Sequence, residues 1–265
     1  MNIEERLKGL KLVCLDMDGT IYKGKTLFPT TMPFLNFLKQ HGIHYLFLSN
    51  NSSYSLSDYV EKLNRMGIAA APDEFYISTD FTIDYLKAHH PEIKRIYALA
   101  VPTVQEEFRK AGFEIESEDP QAVIVAFDRT LCYERLCRAA YFISRDVPAF
   151  ATHPDPFCPT DQPTFLPDCG AFVCCLKKAT GKSIKVLGKP DPEMLKLAAA
   201  RFGLSTAETM MIGDRLYTDV KLGLNAHAIA VQVTDHAEPN QSGVDPDLAV
   251  PNLGDLQNIL AKVLD

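Results

Sequence analysis

Short, almost wholly apolar runs alternate with amphipathic stretches along most of the chain. That rhythm limits the fold more than any other feature. A strand buried on both faces reads as a continuous hydrophobic run, and its parallel neighbour is reached through a crossover helix. Residues 10–15 are apolar apart from Lys11, and residues 45–48, 75–77, 209–212 and 228–233 repeat the pattern. Between them, residues 31–40 carry Phe34, Leu35 and Leu38 at helical spacing. Residues 57–66 place Tyr59, Val60, Leu63 and Met66 on one face before Gly67. The pattern predicts an α/β fold built on a doubly wound parallel sheet.

From about Phe81 the rhythm restarts. Residues 95–99, 122–127 and 148–151 read as strands, and residues 102–111, 134–144 and 169–179 as helices; a strong helix at 193–202 follows. The most economical division is a core of residues 1–83 plus 185–265, interrupted by an inserted α/β domain of residues 84–184. Within the insert, residues 153–167 hold five prolines. That density predicts a long ordered loop without regular structure, and such loops usually carry function.

Composition narrows the function classes. The 265 residues are 46% hydrophobic and 23% charged, with 27 Lys+Arg against 34 Asp+Glu and a net charge of −7. Disorder is excluded for most of the chain. The acidic balance argues against a nucleic-acid partner met through a broad basic face, but a lysine in a cleft can still bind a small anion. No apolar run is long enough to span a bilayer, and the polar start Met1-Asn2-Ile3-Glu4-Glu5-Arg6 does not fit a secretory signal, so no membrane role and a cytoplasmic location are expected. The seven cysteines form no Cys-x-x-Cys motif and read as reduced packing residues, Cys14 in a strand and Cys174-Cys175 in a helix.

Four short motifs carry the chemistry. Asp16-Met17-Asp18-Gly19-Thr20 follows the first apolar run, Ser49-Asn50-Asn51 the second, Gly188-Lys189-Pro190 precedes a helix, and Gly213-Asp214 with Asp219 follows the run 209–212. In an open parallel sheet, ligands bind outside the carboxyl ends of strands. Carboxylates from two strand ends make an oxygen-rich pocket suited to a hard cation such as Mg²⁺. Hydroxyl, amide and backbone N–H groups at Ser49-Asn50-Asn51 suit phosphate oxygens, and Lys189 offers a compact positive charge. Each motif also has an ordinary reading: a solvated turn, a helix N-cap, a surface lysine, an acidic helix start. Gly181-Lys182-Ser183 is not a P-loop, because Leu176 stands where the required glycine would be.

The order and placement of the four motifs resemble the haloacid dehalogenase superfamily, and their variants resemble its NagD-like and 4-nitrophenyl phosphatase subgroup. The resemblance covers the whole chain. It implies a Rossmann-like core with an inserted α/β cap domain that governs substrate choice. It further implies Mg²⁺-dependent hydrolysis of small phosphomonoesters through an aspartyl-phosphate, with a small phosphorylated metabolite as partner. Asp16 would be the nucleophile and Asp18 the general acid and base. Mg²⁺ would be held by Asp16, the Asp18 carbonyl and Asp214. Ser49, Asn50 and Lys189 would bind the phosphoryl group, Asn51 would shape that pocket, and Asp219 would support Lys189. Relatives often dimerise through the cap, so a homodimer is an expectation. Asp18 favours phosphate ester hydrolysis over dehalogenation, since a halide leaving group needs no proton. The subgroup pattern Thr-Asn-x-Asp, then Pro-Gly-x-Gly, becomes Thr152-His153-Pro154-Asp155 and Pro167-Asp168-Cys169-Gly170 here. His153 and Asp168 are therefore candidates for substrate specificity, set against a solvated loop histidine and a helix-capping aspartate. Two alternatives remain open from sequence: a phosphotransferase with an acceptor other than water, and a catalytically silent phosphate-ligand sensor. Product analysis tests the first, and turnover of 4-nitrophenyl phosphate the second.

Overall fold

The computed structural model describes residues 2–159, 164–234 and 243–264. In chain order the elements begin with α1 (Ile3–Lys8), β1 (Leu12–Leu15), β2 (Tyr22–Lys23), β3 (Thr26–Leu27), α2 (Thr31–Gln40), β4 (His44–Ser49), α3 (Leu56–Arg65), β5 (Phe75–Ile77) and α4 (Ser78–His89). Next come β6 (Arg95–Leu99), α5 (Pro102–Lys110), β7 (Glu114–Ile115), β8 (Ala122–Val125), α6 (Tyr133–Ser144), β9 (Ala149–Ala151), β10 (Phe157–Pro159), β11 (Phe165–Pro167), α7 (Cys169–Thr180) and β12 (Lys185–Val186). The chain closes with α8 (Pro192–Ala200), β13 (Thr209–Gly213), a π turn (Leu216–Val220), α9 (Lys221–Asn225), β14 (Ile229–Val233), β15 (Leu248–Val250) and α10 (Leu253–Leu264).

The chain forms two compact units. The first comprises Met1–Ser49, Val60–Tyr76 and Lys189–Asp265, the second Asn50–Tyr59 and Ile77–Gly188. The borders differ from those the sequence suggested: residues 50–59, 77–83 and 185–188 belong with the second unit. α4 starts directly after β5 and lies wholly in the second unit.

In the first unit the sheet order is β5-β4-β1-β13-β14-β15, and the pairs from β4 to β15 are parallel. Numbered by their order in the chain, these strands run 3-2-1-4-5-6. That is a doubly wound order whose direction reverses between β1 and β13, leaving a crevice at their carboxyl ends. Every residue of β1 and β13 is buried, as the continuous apolar runs require. The buried face of α2 is Phe34, Leu35, Phe37 and Leu38, and that of α10 is Leu253, Leu256 and Leu260.

The second unit has its own parallel sheet, ordered β7-β6-β8-β9-β12. By chain order this is 2-1-3-4-5, the other common doubly wound arrangement. Tyr97, Leu99, Val123, Val125 and Ala151 from the strands meet Phe142 of α6 and Val173 and Leu176 of α7. Gly181 ends α7 with φ of 70°, a left-handed cap that costs a glycine little.

Two further expectations are corrected. The proline-rich segment is not free of regular structure: β10 and β11 pair as an antiparallel hairpin, with Phe157 opposite Pro167 and Pro159 opposite Phe165. A two-stranded ribbon has two open edges, and a proline lacking an N–H is tolerated where no ladder bond is needed. Residues 160–163, which include Pro163, lie outside the described residues. Cys174 and Cys175 are exposed on α7, whereas Cys14 and Cys169 are buried, and all seven cysteines are free.

One half-buried acid in the second unit is under-compensated. The Glu107 carboxylate on α5 accepts a hydrogen bond from the Leu56 N–H, while its Oε2 is buried with no partner among the described residues. Burial pushes its pKa up to about 7; the Leu56 N–H opposes this and Asp80 and Asp58 reinforce it. The folded protein therefore binds more protons than the unfolded chain between the ordinary glutamate value of 4.5 and about 7, and stability falls as pH rises through that window. Glu107→Gln should raise the melting temperature at pH 8 by about 2–4 °C, the effect of roughly 1 kcal/mol in a chain of this size. At pH 4.5 the two proteins should melt together. Calorimetry at both pH values checks this, and an equal shift at both would refute it.

Candidate active site

The sheet register sets the site. Leu15 pairs with Ile212 on one side and Phe47 on the other. Asp16, Gly213 and Leu48 are therefore level, and the next residues, Asp214 and Ser49, leave the same end of the sheet. The Asp16 N–H still donates to the Ile212 carbonyl at 2.8 Å, so the ladder holds the backbone of Asp16 in place. Beyond it the chain turns sharply. Gly19 has φ of +90°, and a Cβ there would lie 2.5 Å from Asp214 Oδ2, so the turn needs glycine on both conformational and steric grounds.

Lys189 is the centre of the cluster. It is buried, and its Nζ donates to Asp16 Oδ1 at 2.5 Å and to Asp219 Oδ1 at 2.6 Å. Burial opposes its charge, but the two carboxylates outweigh that and hold its pKa above the ordinary lysine value. Asp16, Asp214 and Asp219 each place a carboxylate oxygen within 4.8 Å of the others. Burial pushes the Asp16 pKa up, Lys189 pulls it down, and Asp219 and Asp214 push it up again. Asp214 is pushed up to about 6, mainly by burial and by Asp219, against the pull of Arg215 and Lys189.

The donor set fits a hard cation. Asp219 is fully engaged, with Oδ1 on Lys189 and Oδ2 accepting from the Arg215 N–H at 3.2 Å. Asp214 is not: its Oδ1 is buried with no hydrogen-bond partner among the described residues. An orphaned carboxylate oxygen beside a second carboxylate is the environment an oxygen-seeking divalent cation relieves. Asp18 is exposed and accepts from the Gly24 N–H at 3.3 Å, leaving its carboxyl group facing water.

Other expected residues have different surroundings. The Asn51 side chain accepts from the N–H and hydroxyl of Ser53, a local turn. The Asn50 amide donates to Asp155 Oδ2 at 3.3 Å. The motif does not cap α3, because Ser55 does so, exchanging hydrogen bonds with Asp58. His153 is wholly buried, which removes the solvated-loop reading. Asp168 is buried too and caps α7 through the Cys169 N–H at 2.5 Å. Burial pushes Asp168 up to about 6, while His153 and the cap bond draw it down. Sequence reasoning passed over Arg215. Its guanidinium is half-buried; burial opposes its charge, and Tyr217, Asp214, Asp16 and Asp219 together raise its pKa above the ordinary value.

Family models agree with this geometry. Residues 13–114 match a model described as haloacid dehalogenase-like hydrolase, and residues 186–256 match a second described as HAD-hydrolase-like. An acid sugar phosphatase of Staphylococcus aureus (strain MRSA252) is 30% identical over 228 residues, covering 86% of this chain and 87% of the relative. The chain belongs to the haloacid dehalogenase-like hydrolase family. Among solved structures, 4-nitrophenylphosphatase from Thermotoga maritima superposes with a TM-score of 0.89 at 34% identity, covering 96% of this chain and 98% of that one. NagD from Escherichia coli K-12 gives 0.85 at 26% identity, covering 93% and 98%. The chain is thus a NagD-like member and a phosphatase of the family's type. No helix among the described residues is long and apolar enough to cross a membrane.

Gly213 gives a test of the Lys189 cluster. A Cβ at that position would lie 2.3 Å from the Asp219 Cβ and Cγ, so Gly213→Ala must displace Asp219 and with it one of the two acceptors of Lys189. Turnover of 4-nitrophenyl phosphate should fall at least tenfold, with a lower melting temperature. Unchanged kinetics would show that Asp219 does not hold the lysine in its working position.

Proposed function

We propose that the chain is a Mg²⁺-dependent phosphatase of small phosphomonoesters, with sugar phosphates as the leading substrate class. The observation that carries this is the buried Lys189 ammonium bridging Asp16 and Asp219 beside the unpartnered oxygen of Asp214. A carboxylate attacks a phosphate dianion only where positive charge offsets their repulsion. The acid sugar phosphatase relatives support the substrate class.

In this reading an oxygen of Asp16 attacks phosphorus in line, and the bond from phosphorus to the ester oxygen breaks. The carboxylic acid of Asp18 gives its proton to the departing alkoxide. Asp18, now a carboxylate, takes a proton from water, whose oxygen attacks the same phosphorus and frees Asp16 and inorganic phosphate. Exposure suits Asp18 to that exchange. Lys189 orients Asp16 and faces the phosphoryl oxygens, with the Ser49 hydroxyl at the end of β4 as a second donor to them. The Asp16 and Asp214 carboxylates and the Asp18 carbonyl would hold Mg²⁺, which supplies charge neutralisation at the phosphoryl group.

Asp16→Asn should fold normally and retain less than about one hundredth of wild-type turnover, since an amide forms no acyl phosphate. Higher residual activity, measured with 4-nitrophenyl phosphate, would remove Asp16 as nucleophile. A chelator should abolish turnover and added Mg²⁺ restore it, while Ca²⁺, with its longer bonds and higher coordination number, should inhibit. Full activity after exhaustive chelation would exclude the metal. A screen of phosphomonoesters ranks the substrates, and a ranking without sugar phosphates near its head would overturn the proposed class.

A further inference from the structure

Asp18 is held by a small structure that stands outside the sheet. The Met17 carbonyl accepts the N–H groups of Thr20, Ile21 and Tyr22 at 3.2, 2.9 and 3.3 Å, which folds residues 17–22 into one tight turn. The Gly19 N–H donates to the Tyr22 carbonyl at 2.8 Å, and Asp18 bridges to Tyr22. From Tyr22 the chain enters the β2–β3 hairpin, where Tyr22 pairs with Leu27 and Lys23 with Thr26. Gly24 at the tip has φ of +61°, and its N–H returns to Asp18 Oδ1 at 3.3 Å. The orientation of the Asp18 carboxyl group is therefore tied to where the hairpin sits.

A hairpin this short does not hold itself in place. Residues 23–26 are exposed, so the tip has no core of its own. The root is fixed through Ile21, whose carbonyl accepts the Phe28 N–H at 3.1 Å and the Thr31 hydroxyl at 2.7 Å. A second anchor is the Tyr22 side chain, which is 2% exposed. Its hydroxyl accepts a hydrogen bond from Lys62 Nζ of α3 at 2.9 Å, and the same ammonium lies 4.1 Å from the centre of the ring. A cation is drawn to the electron-rich face of an aromatic ring, more strongly where water is partly excluded, and Lys62 is half-buried. The ring is thus gripped twice by one group. Asp18, Tyr22 and Lys62 all belong to the first unit.

We infer that Lys62 is a positioning residue for the general acid: through the Tyr22 ring it sets the hairpin, and through the Gly24 N–H the hairpin orients the Asp18 carboxyl group for proton transfer. The inference rests on the phosphatase reading above, in which Asp18 protonates the departing oxygen. It has a signature that a purely structural role lacks. Help from an acid matters in proportion to the basicity of the leaving group. The 4-nitrophenolate ion departs readily without a proton, whereas phenolate and alkoxide need one. A misplaced acid therefore slows poor leaving groups selectively, while a loosened fold slows every ester alike. The ratio kcat/KM covers events up to departure of the alcohol, so it excludes the later activation of water by Asp18.

The test uses the full chain with Mg²⁺ and ring-substituted phenyl phosphates, which share one shape but differ in leaving-group basicity. Lys62→Met keeps the length of the side chain and removes the ammonium. It should lower kcat/KM for phenyl phosphate at least about fivefold more than for 4-nitrophenyl phosphate, a fraction of what an intact general acid supplies. Lys62→Arg, which retains a cation with donors, should restore the wild-type ratio. Tyr22→Phe should shift the ratio in the same direction as Lys62→Met, and combining the two should shift it little further, because they act through one contact. Should Lys62→Met fail to fold, as its melting temperature would show, Tyr22→Phe carries the same comparison. Asp18→Asn sets the scale and should show the largest selective loss. An equal fall for every ester in Lys62→Met, with Asp18→Asn still selective, would overturn the positioning role alone. Multiplicative effects of Tyr22→Phe and Lys62→Met would overturn the route through the ring. An Asp18→Asn variant without selectivity would remove the acid from the phosphatase reading itself, and the inference with it.

Discussion

The site depends on one buried ammonium group shared by two carboxylates. Asp16 directly follows β1 and Asp219 lies in the π turn after β13, and Lys189 lies between them with both contacts at 2.6 Å or less. A third carboxylate, Asp214, stands within the same small volume. Three acids against Lys189 and the half-buried Arg215 still leave the cluster short of positive charge, and burial makes that shortage costly. The upward push on Asp16 and Asp214 is the electrostatic form of the same shortage. A phosphate ester would worsen it. A divalent cation would relieve it, and the orphaned Asp214 oxygen marks where relief is needed.

The sheet explains how acids so far apart in sequence share one volume. The order 3-2-1-4-5-6 places β1 and β13 side by side at the reversal point, though some 190 residues separate them, and brings β4 to the other flank of β1. Parallel pairing then fixes the level of each strand end, so Asp16, Asp214 and Ser49 all leave at the same edge. Two glycines make the close approach feasible: Gly19 lets the first loop pass Asp214, and Gly213 leaves room for Asp219. Asp16 and Asp214 are thus placed at or directly after the sheet ladder, with no long loop between the ladder and their carboxylates.

Much of this was legible in the chain itself. Apolar runs ending in Asp, Ser or Gly-Asp marked both the strands and the ends where the candidate site gathers, because buried parallel strands tolerate almost no polar residue before they terminate. The helix α4 was not visible. Its first half buries Ser78, Thr79, Phe81, Thr82 and Ile83 together, so it shows no polar stripe and no helical period. The β10–β11 hairpin was hidden by its prolines, which argue against strands unless an open edge is available to them. Asp219 stood in sequence as a helper of Lys189, and its engagement on both oxygens explains that role. The Arg215 guanidinium gave no signal, since an arginine after an acid is ordinary on any surface.

His153 and Asp168 show the limit most clearly. Read separately, a histidine in a proline-rich loop is solvated and an aspartate before a helix is a cap. The second reading is true of Asp168, whose Oδ1 takes the Cys169 N–H. It is also incomplete, because the same oxygen lies 3.4 Å from the His153 ring. Spacing along the chain carries no information about that contact, which exists only because the hairpin returns its two ends to one place. The two substitutions are physically linked: an imidazole buried at 153 gains from a nearby acid, and an acid buried at 168 gains from a nearby donor. A departure from a family pattern at one position is therefore best weighed against departures at every position that could touch it. Two such changes in contact amount to one change in the local electrostatics, felt by Asp155, whose Oδ2 faces the His153 ring and accepts the Asn50 amide.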